Sequence, residues 1–259
     1  MTAFRRSIGS AARVLLGGLD WAGRAVDALA FPSYCPVCDV ETGGPAFCEA
    51  CRDELLGASS LACLRCAMPV GPYSDLSGGC SECRGKSLGF DAAMALGPYQ
   101  GPIRHLCLGL KHERNAWMAR WLGEVVAEAC VDSLSDEVEA GAWVVPVPLH
   151  WRSRLRRGYN QAEALASGLA RPLSLRVRHP LRRVTATPKL ALIGRTERAR
   201  IMKDAFRARP DPRLRGRTVI LVDDILTSGA TCGAAARALK KAGASRVVVV
   251  VVARAEGKP

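Results

Sequence analysis

The strongest patterning lies toward the C-terminus. Two strand-like segments, residues 218–222 and 246–252, carry uninterrupted apolar runs at 219–222 and 247–252 and flank a segment with helical spacing at 232–241. A short run that is apolar on both faces predicts a central strand of a parallel sheet. Gly243, just past the helical segment, supplies a helix stop. Strand, helix, strand in that order predicts a βαβ unit. Upstream, residues 90–96 read as a strand ended by Gly97-Pro98, and 103–110 and 116–134 carry helical spacing, with Trp117, Trp121, Val125 and Ala129 on one side of the second. A short strand is predicted at 143–148, closed by Pro146 and Pro148, then a helix at 160–170 and strand-like pieces at 173–177 and 181–184. The pattern predicts an α/β fold.

Before residue 31 the pattern changes. Val14, Leu15, Leu19, Val26 and Leu29 form a helical stripe interrupted by Asp20, Arg24 and Asp27. Such a stripe predicts an amphipathic helix that packs on its own protein or lies on a partner, and that is not stably inserted in a membrane. The valines at 247–252 are too few to span a bilayer. The expected location is cytoplasmic.

Composition adds one fact that changes the picture. The 259 residues carry 37 Lys+Arg against 24 Asp+Glu, a formal net charge of +13. That field attracts polyanions of any class: phosphorylated sugars, nucleic acid or acidic surfaces. Between the strand at 143–148 and the helix at 160–170 runs a dense basic loop, with Arg152, Arg154, Arg156 and Arg157.

The cysteines are patterned more sharply than the charge. Eight of eleven form four Cys-x-x-Cys pairs: Cys35/Cys38, Cys48/Cys51, Cys63/Cys66 and Cys80/Cys83. A two-residue gap lets one turn aim two thiolates at one ion, and two such knuckles complete a tetrahedral zinc site. In a reducing compartment this spacing reads as metal ligation and not as a disulfide framework. The knuckles predict two structural zinc sites. The grouping is either sequential (first with second, third with fourth) or interleaved (first with third, second with fourth). The segment is poor in apolar residues, so zinc binding is expected to supply its folding energy.

A third signal sits where the strand at 218–222 meets the following helix: Asp223, Asp224, then Thr227, Ser228, Gly229, Ala230 and Thr231. Ligands of open α/β sheets bind at the carboxyl ends of strands. Hydroxyls and approachable amides at a helix N-terminus favour a phosphate. Two adjacent carboxylates would repel that phosphate, so they are expected to serve sugar hydroxyls, directly or through Mg²⁺.

The thirteen residues 219–231 (VILVDDILTSGAT) closely resemble the phosphoribosyl pyrophosphate (PRPP) signature of type I phosphoribosyltransferases. VPVPL at 145–149 and RGYNQ at 157–161, with the Lys111 context and the N-terminal knuckles, resemble the ComF family, competence-associated phosphoribosyltransferase-like proteins. The resemblance covers about residues 29–254. It implies three parts: an N-terminal helix (1–30), a double zinc ribbon (31–86) and a phosphoribosyltransferase-like domain with a Rossmann-like parallel sheet (87–259).

That resemblance also implies roles. Asp223 and Asp224 would contact the ribose, and Thr227, Ser228, Gly229, Ala230 and Thr231 would cradle the 5-phosphate. Arg152 and Arg157 would face the pyrophosphate, a task suited to forked guanidiniums. Residues 183–200 would correspond to a mobile loop that closes over substrate. Arg195, Arg198 and Phe206 keep the family pattern, whereas Leu190 and Ile201 stand where a Gln and an Asn are common.

Three functions fit. One is an enzyme that displaces pyrophosphate from Mg²⁺–PRPP. The second is a single-stranded DNA-binding competence factor in DNA uptake. The third is a regulator that senses PRPP without catalysis. The family also implies a DNA-uptake helicase as a partner. Aromatic residues are only 5% of the chain, so stacking platforms for single strands are not evident. His105, His112, His150 and His179 are scattered, and none is singled out as a general base.

Overall fold

The computed structural model describes residues 34–44, 47–58, 61–151, 154–155, 158–185, 202 and 204–255. The expected N-terminal helix, Arg152 and Arg157, and the stretch carrying Leu190, Arg195, Arg198 and Ile201 lie outside the described residues. In chain order the elements are α1 (Glu49–Gly57), β1 (Ala92–Pro98), α2 (Gly101–Gly109), α3 (Ala116–Cys130), α4 (Ser135–Glu139), β2 (Trp143–Pro146) and α5 (Gln161–Ala170). They continue with β3 (Arg176–Val177), β4 (Leu181–Arg183), β5 (Phe206–Ala208), β6 (Thr218–Leu226), α6 (Ala230–Lys241) and β7 (Arg246–Arg254).

Five parallel strands form one sheet in the order β1-β7-β6-β2-β3. The expected parallel α/β sheet is therefore present. Its two faces are sorted by the period of two along each strand. Val248, Val250 and Val252 of β7, with Ile220 and Val222 of β6, join the core that holds α2, α3 and α5. Val247, Val249 and Val251, with Val219 and Leu221, join the opposite core under α6. The continuous apolar runs reflect burial on both faces. Right-handed crossovers place α5 and α6 on opposite faces, because β2 leads outward to β3 on one side and β6 leads to β7 on the other.

One helix boundary differs from the sequence expectation. The helix expected over 116–134 ends at Cys130, and the chain continues as a 3₁₀ turn, Asp132–Leu134, into α4. Asp132, Ser133 and Ser135 compete for backbone groups there, and Ser135 Oγ donates to the Asp132 carbonyl at 3.0 Å. Two glycines let α3 and α5 approach closely. A Cβ on Gly168 would lie 1.8 Å from the Arg120 carbonyl oxygen, and one on Gly123 would lie 2.3 Å from that of Leu165.

The cysteine segment forms two similar ribbons. Tyr34 bridges Glu41 in the first and Ala62 bridges Pro69 in the second, each antiparallel. Each first knuckle closes with a left-handed residue just after its second cysteine, Asp39 (φ 58°) and Ala67 (φ 57°). The ribbons dock differently. Cys35, Phe47, Cys51 and Leu55 are buried within the core shared with α2, α3 and α5. The second ribbon keeps its own small cluster around Cys63, Cys66, Met68, Cys80 and Cys83. The stretch 84–88, between the last knuckle and β1, packs on α6: a Cβ on Gly233 would lie 2.2 Å from the Leu88 carbonyl oxygen.

Candidate functional site

Parallel strands bring their carboxyl ends to one edge of the sheet, and there β2 and β6 are neighbours whose connections leave in opposite directions. That is the topological switch point, where a crevice opens between the two departing loops. The loops at this crevice are 227–229 after β6 and 147–160 after β2. The Val147 amide donates to the Val222 carbonyl at 2.9 Å, which keeps the two loop bases together.

The acid pair sits on the strand itself, because β6 runs on through Leu226 and does not end at residue 222. The two carboxyls diverge. Asp223 lies toward α6, where the Cys232 thiol donates to its Oδ2 at 3.8 Å. Asp224 lies close enough to α2 for its charge to act on the Cys107 thiol, together with the opposing charge of Lys111. Each carboxylate is also fixed by the main chain: the Asp224 amide donates to Asp223 Oδ1 at 3.0 Å and the Ile225 amide to Asp224 Oδ1 at 2.9 Å.

Burial first, and the Asp224 charge second, push the Asp223 pKa well above the usual carboxylate value. Arg183 of β4 opposes that rise. Burial lowers the Arg183 guanidinium from its ordinary value, and Asp223 works in the other direction. Arg183 lies over the Phe206 ring at 5.7 Å in the antiparallel β4–β5 pair. Cys232 is kept a neutral thiol by burial and by both acids. Sequence reasoning missed Arg183 and Cys232 as neighbours of the acids. The pairing of Arg183 with Phe206 is a contact between distant parts of the chain and left no local signal.

The loop expected to bind phosphate has the backbone its sequence calls for. Gly229 adopts φ 75°, ψ 1° as the N-terminal cap of α6, a conformation that disfavours other residues. The Ala230 amide donates to Ser228 Oγ at 3.4 Å. First-turn amides of a helix have no acceptor within the helix, so this end is electropositive toward the crevice. Opposite it, the end of α2 meets the basic loop: Tyr159 Oη donates to the Leu110 carbonyl, and the Glu113 carboxylate fills the space a side chain on Gly158 (φ 75°) would need. Lys111 therefore stands near Gly158 and Tyr159.

The cysteine sites are explicit. Cys35, Cys38, Cys48 and Cys51 form one group and Cys63, Cys66, Cys80 and Cys83 the other, the thiol sulfurs within 4.8 Å of one another. The grouping is sequential, and the interleaved alternative is excluded. Four sulfurs each 2.3 Å from a central zinc would stand about 3.8 Å apart. Here Cys38–Cys48, Cys63–Cys83, Cys66–Cys80 and Cys80–Cys83 are separated by 3.6, 3.7, 3.5 and 3.9 Å. These are the edges of a tetrahedron built for the metal. At Cys35 and Cys63, burial is outweighed by neighbouring amides, which bring both thiols down to about 7.

β5, the 3₁₀ turn Pro212–Leu214 and α6 flank a cleft of about 1110 Å³. Arg207, Arg215, Arg237 and Lys241 line it, over a floor that includes Ala234 and Ala238. Asp211 on its wall is engaged by Arg213 through two contacts of 3.0 Å.

Comparison with known proteins agrees with both halves of the molecule. The phosphoribosyl transferase domain family matches residues 155–259, and the double zinc ribbon domain family matches residues 26–84. Competence protein F of Haemophilus influenzae is 28% identical over 221 residues, 80% of this chain and 96% of that protein. DNA utilization protein YhgH of Escherichia coli is 27% identical over 230 residues, 87% of this chain and 99% of that protein. Competence protein ComFC of Bacillus subtilis is 36% identical over 100 residues, 39% of each chain. No helix among the described residues is long and apolar enough to cross a membrane.

Proposed function

The chain belongs to the ComF family, with a double zinc ribbon ahead of a phosphoribosyl transferase domain, and from that premise we propose that it binds Mg²⁺–PRPP at the β2/β6 crevice and transfers or senses its 5-phosphoribosyl group. The observation that carries this reading is the placement of an acid pair and a phosphate loop on the strand flanking the switch point. The 5-phosphate is held by the hydroxyls and amides at Thr227, Ser228, Gly229, Ala230 and Thr231. The ribose hydroxyls hydrogen-bond to Asp223 and Asp224. Pyrophosphate faces Lys111 and the loop of Arg152 and Arg157. When bound, Mg²⁺ neutralises pyrophosphate charge and orients its oxygens.

In transfer, a nucleophile bonds to the anomeric carbon as the bond to the pyrophosphate oxygen breaks, and pyrophosphate leaves with the electron pair. The chain contributes positioning and cationic stabilisation of the departing charge. Calorimetric titration of Mg²⁺–PRPP into wild type and into Asp223→Asn/Asp224→Asn tests the reading. Saturable binding that the double substitution abolishes is expected; no binding by zinc-loaded wild type overturns it.

The basic cleft favours a second activity alongside the first, binding of single-stranded DNA by its phosphate backbone. Four cations over small apolar residues suit a flexible polyanion, and the relatives' names concern competence and DNA utilization. A DNA-uptake helicase as partner and a cytoplasmic location are proposals at the family level. Residues 1–30 as a helix, 31–86 as the ribbons and 87–259 as the transferase-like domain remain the proposed division.

A further inference from the structure

We propose that Arg254 is a positioning residue through which the second zinc ribbon fixes the phosphate-binding loop. Arg254 ends β7 and is 6% exposed. Its Nε donates to the carbonyl of Cys66, a zinc-ligand position, at 2.9 Å. Its Nη1 donates to the carbonyls of Leu226 at 2.9 Å and Thr227 at 2.6 Å, and also to that of Ala255. One guanidinium thus fastens the third knuckle to the residue that opens the phosphate loop. Buried hydrogen bonds from a charged donor are among the strongest a protein makes, and losing them leaves carbonyls buried without an acceptor role filled.

Two further contacts converge on the same place. The Ala93 amide of β1 donates to the Leu64 carbonyl inside the knuckle at 2.9 Å. Leaving the ribbon, the chain passes against α6, so that Leu88 meets Gly233 and the Phe90 ring lies beside Gly229. The first ribbon is attached elsewhere: Cys35 and Cys51 sit in the core shared with α3, and Arg52 pairs with Glu128 of α3. The two ribbons therefore have different tasks. The first braces the helical layer, and the second holds the floor of the phosphate loop. A lysine cannot replace Arg254, because one ammonium lacks the planar fork that spans the Cys66 and Thr227 carbonyls.

The proposal rests on the PRPP reading only for its consequence, that ligand affinity follows the state of the ribbon. Hydrogen exchange tests the mechanical part without ligand. In Cys80→Ser/Cys83→Ser, which loses the second zinc, peptides across residues 225–233 are expected to exchange at least tenfold faster. Loss of the first zinc in Cys48→Ser/Cys51→Ser is expected to act on α3 and not on 225–233. Unchanged exchange across 225–233 in the second-site variant overturns the proposal. Should that variant loosen globally, with the core of β7 exchanging as well, Arg254→Lys decides. It is expected to keep two zinc ions and a single cooperative melting transition while exchange across 225–233 rises and Mg²⁺–PRPP affinity falls about tenfold. Wild-type loop exchange and affinity in Arg254→Lys overturn the proposal. If wild type itself takes up no PRPP while the exchange coupling is present, the ligand assignment fails and the coupling stands.

Discussion

Gly89 and Gly233 touch backbone to backbone: a Cβ on Gly89 would lie 2.6 Å from the Gly233 carbonyl oxygen. The chain leaving the zinc ribbons thus crosses the first turn of α6 within van der Waals contact, and only two glycines permit it. The phosphate loop is gripped between this crossing and the Arg254 fork.

The contact makes Gly233→Ala a sensitive probe. The new methyl would lie 2.2 Å from the Leu88 carbonyl oxygen, which is backbone and cannot rotate away. Overpacking of this kind costs about 1–3 kcal/mol. The variant should melt several degrees below wild type, whereas Gly57→Ala, with nothing within 4 Å, should melt close to it. Equal melting temperatures for the two variants in scanning calorimetry would show that the crossing is loose.

Asp223 gives a prediction with a definite sign. Its folded pKa is raised well above the usual carboxylate value by burial and by Asp224. Between the unfolded and the folded pKa, the folded state therefore binds more protons, and stability falls as pH rises through that window. Asp223→Asn removes the penalty. Its melting temperature should match wild type near pH 4, exceed it increasingly as pH rises from there to the folded pKa, and hold a constant excess above it, by about 2–4 °C for each kcal/mol relieved. PRPP binding should be lost in the same variant. A melting difference that shrinks with rising pH would contradict the assignment of burial as the dominant cause.

Zinc content separates the ribbons. Plasma emission analysis should find two zinc ions per chain in wild type and one in Cys80→Ser/Cys83→Ser, since each four-sulfur group closes on its own ion. Retention of two ions by that variant would mean that the sulfur groups exchange ligands.

Much of this was legible in the sequence because it depends on local spacing. The βαβ unit follows from two doubly buried runs around a helical period, and the phosphate loop from a glycine that must adopt φ 75° at the start of α6. The Cys-x-x-Cys spacing fixed the knuckles but not their grouping, because ligand partnership depends on how the chain folds back. Arg183 at Asp223, Arg254 under Thr227 and the Gly89–Gly233 crossing are pairings of residues far apart in the chain. The extension of β6 past Val222 was hidden because Asp223 and Asp224 read as a turn by composition. Their carboxyls are accommodated in a strand by Cys232 on one side and the α2 end on the other.

The basic cleft yields the last prediction. Arg207, Arg215 and Lys241 line the cleft between β5, the 3₁₀ turn and α6, and none is assigned to PRPP, so their removal should affect DNA and not PRPP. For single strands, log K falls with log salt by about 0.7 per phosphate neutralised. Fluorescence anisotropy with labelled oligothymidylate should therefore show a steep salt dependence in wild type. In Arg207→Ala/Arg215→Ala/Lys241→Ala the slope should be shallower by about 2 and the low-salt affinity at least tenfold weaker. If the slope is unchanged, the cleft is not where the strand lies, and the comparison turns to Arg152→Ala/Arg157→Ala. A reduced slope in that variant alone would place the DNA at the crevice, in competition with PRPP. Competition is itself measurable, since saturating Mg²⁺–PRPP should displace DNA from the crevice but leave DNA in the cleft untouched.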